Sequence, residues 1–243
     1  GYVGVVCNAP VEAKFRLTMG DYQYNYELTT DGRPNFFPLA MGNGSYSFVV
    51  WLSVGGTQYE EFLTGSVNVT LESEQAPFLV QSEIVNYNAD SEAVKMSYQL
   101  AEHASSDLEV AQQIYWWIKE NISYDTDKAT SVQGASGYLP DVDSTVAEKK
   151  GICYDYAALA AAMFRANGIP CQLVMGDVTT DEGGVVYHAW NLIWLEEVGE
   201  IAVKIPTTPN EWERIDLTFA ASGNSDIAKF IGNGDNYASM FYH

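Results

Sequence analysis

"KKGICYDYAALAAAMFRANGIPCQ", residues 149–172, decides the fold. Cys153 stands just behind a lysine pair and opens a run with no charged residue between Asp155 and Arg165. Gly151 precedes it, and Asn167-Gly168 with Pro170 beyond closes the run, Gly168 reading as the cap of a helix C-terminus. Alanine on all sides predicts a central helix packed against several neighbours. A sulfur at the start of such a helix faces backbone N–H groups that lack helical partners. Those groups favour the thiolate and can receive an oxyanion. By itself Cys153 still has three readings: a small buried hydrophobe, half of a disulfide, or a nucleophile.

A nucleophilic thiol needs a base, and the chain has three histidines, His103, His188 and His243. His188 lies in "VVYHAWNLIWL", residues 185–195, whose alternation reads as a strand. There His188, Trp190, Leu192 and Trp194 share one face, and Tyr187, Ala189 and Asn191 the other. Asn191 is thus badly placed to orient His188. Asp216 in "EWERIDLTF", residues 211–219, is the better partner, with Trp212, Arg214 and Asp216 of one parity on a neighbouring strand. A carboxylate at one ring nitrogen fixes the tautomer and leaves the other nitrogen for the thiol. The bland alternatives are a satisfied core histidine and an aspartate that caps an element or pairs with Arg214.

"GICYDYAALAAAMFRANGIP", "YHAWNLIWL" and "WERIDLTF" resemble the Cys, His and Asp blocks of the transglutaminase-like superfamily, in order and with similar spacing, 35 and 28 residues between the key positions. "IYWWIKENISYD", residues 114–125, resembles the helix and Tyr-Asp pair that precede the cysteine block in bacterial members. The resemblance spans about residues 95–220. It implies a papain-like α+β core, a cysteine helix packed on an antiparallel sheet. It also implies Cys153 as nucleophile, His188 as general base and acid, and Asp216 as the group that orients it. Leu217 stands where the family often has proline, and Cys171 where alanine or arginine is commoner. Cys171 therefore reads as a core or strand thiol. The calcium-site residues of animal transglutaminases cannot be mapped onto this chain, and neither a calcium requirement nor a cofactor is expected.

Residues 1 to about 75 alternate as β-structure, through Tyr22, Tyr24, Tyr26 and Leu28, then Tyr46, Phe48, Val50 and Leu52, then Val67, Val69 and Leu71. Asp31-Gly32, Asn43-Gly44 and Gly55-Gly56 read as turns, giving a sandwich-like module. The expected domains are 1–80, all β, and 95–243, transglutaminase-like, with the boundary between about 75 and 95. Ser106 followed by Glu109 is a capping box, and Val110, Ile114, Trp117 and Ile118 mark one helix face that ends near Asn121. Residues 126–145 read as a long loop without a period. Segments 171–178, 185–195, 200–205 and 211–217 read as antiparallel strands, and "SDIAKFIGNG", residues 225–234, as a short helix closed by glycine.

The net charge of −20 at 243 residues disfavours nucleic acid and anionic membranes as partners. With 47% hydrophobic residues the chain can bury a core, and no apolar run reaches the roughly 20 residues that span a bilayer. Three cysteines, Cys7, Cys153 and Cys171, leave at least one thiol unpaired, with a Cys7–Cys171 bridge still open. The opening "GYVGVVCNAP" has neither an initiator methionine nor a charged leader. The expectation is a removed signal segment and an extracellular or cell-surface protein acting on a peptide or protein, cell-wall peptide included. The rival is a non-catalytic surface or adaptor module that keeps the fold.

Overall fold

The computed structural model describes residues 1–134, 137–180, 183–202, 205–222 and 234–243. The chain divides into two compact units, Gly1–Glu83 and Ile84–His243. Among the described residues, no helix is long and apolar enough to cross a membrane.

The first unit holds six antiparallel strands, β1 (Tyr2–Asn8), β2 (Ala13–Met19), β3 (Tyr22–Leu28), β4 (Asp31–Pro38), β5 (Gly44–Gly55) and β6 (Gln58–Val69), and a 3₁₀ turn at Ala76–Leu79. One sheet has the order β3-β2-β5-β6, the other pairs β1 with β4. Period-2 alternation puts Phe15, Leu17, Tyr24, Tyr26, Leu28, Tyr46 and Val50 inside. Phe37 of β4 stacks on Phe15 at 4.5 Å and meets Tyr26 at 4.6 Å, so the two sheets share one aromatic core. The tyrosine stripe is therefore sheet packing, with Tyr22 alone left half-exposed.

Two readings of this unit need correction. Asp31-Gly32 is no turn: Gly32, at φ +86°, lies inside β4, beside the irregularity between Val6 and Asn8 of β1. The segment after Gly65 is not a separate strand, because β6 runs through it. The Phe48 ring lies on Gly65, 2.6 Å from where a side chain would begin, so this glycine is a seat for a ring and not a break. Val67 of that strand is half-exposed.

The second unit orders its elements as α1 (Glu92–Ala101), α2 (Asp107–Asn121), β7 (Ser123–Tyr124), α3 (Thr126–Val132), α4 (Val142–Glu148), β8 (Lys150–Gly151), α5 (Cys153–Ala166), β9 (Cys171–Thr179), β10 (Val185–Leu195), β11 (Gly199–Ala202), β12 (Ile205–Thr207), β13 (Glu211–Ile215), α6 (Leu217–Ala221) and β14 (Tyr237–Tyr242). The main sheet is antiparallel with the order β13-β10-β9-β14. Helix α5 is its core. Every side chain from Tyr156 to Phe164 is at most 2% exposed, so alanine is needed wherever β9, β10, α1, α2 or α4 comes close. Gly168, at φ +79°, closes α5, its N–H bonding to Arg165 O while Ile169 N–H reaches Phe164 O. Arg165, in the last turn, is buried and spends its guanidinium on the carbonyls of Cys171 and His243. Asn191 faces α5, not His188, and ties the sheet to the helix through Ala157 O at 2.9 Å.

Ser106 caps α2 by accepting the Glu109 N–H, while the Glu109 carboxylate returns to Ser105 and not to Ser106. The reading of 126–145 as one loop is overturned by α3 and α4, whose N-termini are capped by Asp125 and Asp141. The strand read at 200–205 is two short ones, β11 and β12, paired with each other. The strand read at 211–217 stops at Ile215, and Leu217 begins α6. The short helix read at 225–234 lies outside the described residues except for Gly234. The three cysteines are free thiols, so the Cys7–Cys171 bridge is absent.

Candidate active site

Cys153 is the first residue of α5 and is partly exposed, whereas the helix behind it is sealed. Ile152 in front of it is extended, and its N–H is held by the Asp155 carboxylate at 2.9 Å. Ile152 has no side-chain acceptor, so this is the returning half of a capping box only. Asp155 is buried and also accepts the Tyr138 hydroxyl and, at 3.2 Å, the Lys128 ammonium. Both donors come from the region misread as a loop. Gly151 fits directly over Asp155, 2.7 Å from the Asp155 Cβ to where a side chain would begin. The helix start is thus fixed by one carboxylate that gathers three donors.

The Tyr-Asp pair has a concrete place. β7 and β8 run parallel, pairing Ser123 with Lys150 and Tyr124 with Gly151, and Asp125 N–H bonds to Gly151 O at 2.9 Å. This sets Tyr124 beside the start of α5. Burial first, and Cys153 next, push the Tyr124 phenol up. Burial, Asp177 and then Cys153 do the same for Tyr187. Both tyrosines are about half-exposed.

His188 sits on β10 opposite Gly176 of β9. β13 pairs with β10 only from Asn191 to Leu195, so His188 lies beyond the last pair, where the chain leaves β13. Asp216 occupies that departure point. It is not on the strand, as its parity with Trp212 and Arg214 implied, but is the N-cap of α6. Its Oδ1 accepts the Phe219 N–H at 3.0 Å, and its Oδ2 lies 2.8 Å from His188 Nε2. Nε2 is thereby committed to the carboxylate, Nδ1 is the ring nitrogen left over, and the Cys153 side chain is among the groups that act on this ring. Phe219 stacks on the imidazole at 4.6 Å between centroids. Burial disfavours a charged ring here, but the Asp216 carboxylate, and after it Cys153, outweigh burial and raise His188 to about 10. The carboxylate thus favours the charged form of the ring. The structure therefore brings the three predicted residues together, from a helix start, a strand and a second helix start.

Three further residues at the site had weak sequence signals or none. Asp155 stands three residues past the Ile152 cap, a capping-box position. Phe219 follows Asp216 at helical N3. Tyr237 donates its hydroxyl to Asp216 Oδ2 at 2.9 Å, from a strand whose sequence shows no clear period. Cys171 is the inert thiol expected: fully buried, within 3.5 Å of the Asn191 amide, and pushed up to about 12 chiefly by burial. A thiol, an imidazole and a carboxylate in this order make an arrangement able to shuttle one proton.

The chain belongs to the transglutaminase-like superfamily, whose family model matches residues 94–216, about half of the chain. Kyphoscoliosis peptidase of Mus musculus is 32% identical over 104 residues, 40% of this chain and 15% of that protein. A UPF0252 protein of Methanocaldococcus jannaschii is 27% identical over 146 residues, 58% of this chain and 38% of that protein. The chain thus spans less than two-fifths of the length of either curated relative. Among solved structures, a Cytophaga hutchinsonii protein provisionally assigned as a cysteine protease matches with a TM-score of 0.50 at 13% identity, covering 100% of this chain and 79% of that one. At that identity the likeness concerns the fold alone, an α+β transglutaminase-like architecture. Red sea bream transglutaminase is also similar, at a TM-score of 0.40 and 12% identity over 92% of this chain and 48% of that one.

Proposed function

We propose that this chain is a thiol acyl-transfer enzyme with Cys153 as nucleophile, His188 as acid and base, and Asp216 as the group that orients the ring. One observation carries the reading: the Nε2–Asp216 bond of 2.8 Å leaves Nδ1 of a buried imidazole for a partly exposed thiol at a helix start. Cys153 Sγ attacks the carbonyl of a peptide or side-chain amide, and the oxyanion forms near the first N–H groups of α5. The C–N bond breaks as His188 gives its proton to the leaving amine, and a thioester on Cys153 remains. Water or a primary amine then attacks the thioester, His188 takes the incoming proton, and the thiolate leaves. Hydrolysis is favoured over cross-linking, because no built amine site accompanies the thiol among the described residues. A peptide substrate, cell-wall peptide included, and an extracellular or cell-surface location complete the proposal. The charge of −20 accords with such a location.

The test is incubation with a carboxamide peptide and a labelled primary amine, beside a Cys153→Ala control. Ammonia release or peptide cleavage lost in the control is the expected result, and label incorporation lost in the control would make the enzyme a transferase. No turnover in either arm, together with ordinary Cys153 reactivity toward iodoacetamide at pH 6, would leave the non-catalytic adaptor reading in its place.

A further inference from the structure

We propose that Tyr237 is a positioning residue of this site, its hydroxyl holding the Asp216 carboxylate in the orientation that His188 needs. The inference rests on the acyl-transfer reading above. Asp216 is fully buried, and a buried carboxylate keeps its charge only when donors satisfy it. Two donors, His188 Nε2 and the Tyr237 hydroxyl, share Oδ2 at 2.8 and 2.9 Å, while Oδ1 is spent on the cap of α6. The cap fixes one oxygen, and Tyr237 pins the oxygen that faces the imidazole.

The direction of that hydroxyl is set by packing. The Tyr237 ring stands edge-on to Trp190, 4.9 Å between centroids at 74°, and the Arg214 guanidinium lies 4.6 Å over the ring. Trp190 is two residues from His188 on the same face of β10, and Arg214 two residues before Asp216, so the ring is clamped by neighbours of both groups it serves. Burial first, and the Asp216 charge next, press the phenol far above its ordinary range, so Tyr237 stays a donor at every working pH. β14 reaches this place because Gly176, opposite both His188 and Ser239, offers no side chain where the Ala238 carbonyl approaches. Tyr237 lies 21 residues beyond Asp216 and outside the family-matched span, so this support comes from the chain's own C-terminal strand.

The test is the Tyr237→Phe variant, which keeps the ring and removes the hydroxyl. Three measurements read it: the carbamidomethylation rate of Cys153 at pH 6, the ring-nitrogen NMR titration of His188, and a thermal melt. With the hydroxyl gone, one of the two donors that hold Oδ2 is lost and the carboxylate is less fixed. Y237F is expected to react roughly three- to tenfold more slowly, in line with part of a charged hydrogen bond, with the His188 midpoint moved and the melt still cooperative. 4-Aminophenylalanine at 237 restores a donor and should restore the rate, while Met240→Ala on the same strand leaves it unchanged. A Y237F protein equal to wild type in rate and titration overturns the inference and leaves the acyl-transfer reading standing. A slowed variant that loses its cooperative melt, or that the amino analogue does not rescue, makes Tyr237 a structural tie and also overturns it. A wild-type Cys153 no more reactive than that of Asp216→Asn sinks the site reading itself, and this inference with it.

Discussion

Asp216→Asn separates the electrostatics of the site from its architecture. Asparagine is as good an N-cap as aspartate, so the Phe219 N–H keeps its acceptor and α6 its start. The charge that His188 relies on is what disappears. In the native protein the ring, ordinarily near 6.5, is raised to about 10 against the opposing effect of burial. At about 1.4 kcal/mol per pH unit, the imidazolium is favoured by on the order of 5 kcal/mol. In the variant, burial acts against a charge that only Cys153 still supports, and the amide can donate to Nε2, which forces the other tautomer and turns Nδ1–H toward the sulfur. The thiol then has neither an imidazolium beside it nor a base.

An unassisted thiol is about 0.3% thiolate at pH 6. A charged neighbour makes a thiol more reactive, and the lower nucleophilicity of a stabilised thiolate returns part of that gain. The expected outcome is carbamidomethylation of Cys153 at pH 6 at least about tenfold slower in D216N than in wild type, with the two rates converging by pH 9 to 10. The rate is read by mass spectrometry of the peptide carrying Cys153, with Cys7 as an internal reference. A ratio near one at pH 6, or one that does not change with pH, refutes the argument, since a merely packing role for Asp216 would not follow the ionisation of its partner.

Two other expectations concern stability. His243 is buried and held down at about 3 by burial and then Arg165. The unfolded chain thus binds a proton that the folded chain refuses, and stability present above about pH 6.5 falls as pH drops toward 3, by about 2 kcal/mol at pH 5. His188, raised to about 10, works with the opposite sign: its contribution is whole below about pH 6.5 and is lost as pH rises through about 10. Melting temperature should therefore decline on both sides of neutrality, and His243→Gln should flatten the acid limb only; an unchanged acid limb contradicts the assignment. Ala161, fully buried within α5, has no room for a larger group, so Ala161→Leu should cost about 1–3 kcal/mol in urea denaturation, and an unshifted midpoint would show slack in the helix packing.

What the sequence carried about the site follows from where its chemistry lies. α5 was legible because helix start, helix end and all-round alanine agree on one element. His188 was legible because β10 alternates cleanly and its two faces have distinct tasks, Asn191 tying to α5 and His188 turning away. Strand parity then carried Asp216 one residue too far. An N-cap and a strand end both put a short polar residue after an alternating run, and only the Phe219 N–H bond tells them apart. α3 and α4 were lost because each is seven residues long and holds too few apolar positions to show a period, so their capping aspartates, Asp125 and Asp141, were the available signals. The same region supplies what cannot be read locally: Lys128 in α3 and Tyr138 between α3 and α4 both close on Asp155.

Tyr237 was illegible for a stronger reason. Its bond to Asp216 depends on the register of β14 against β9, and that register is fixed by the room at Gly176 and not by any pattern within β14 itself. Residues that do chemistry by contact announce themselves by type and order. Residues that hold those contacts in place are chosen by the space the fold leaves, and they become visible only once the strands are paired.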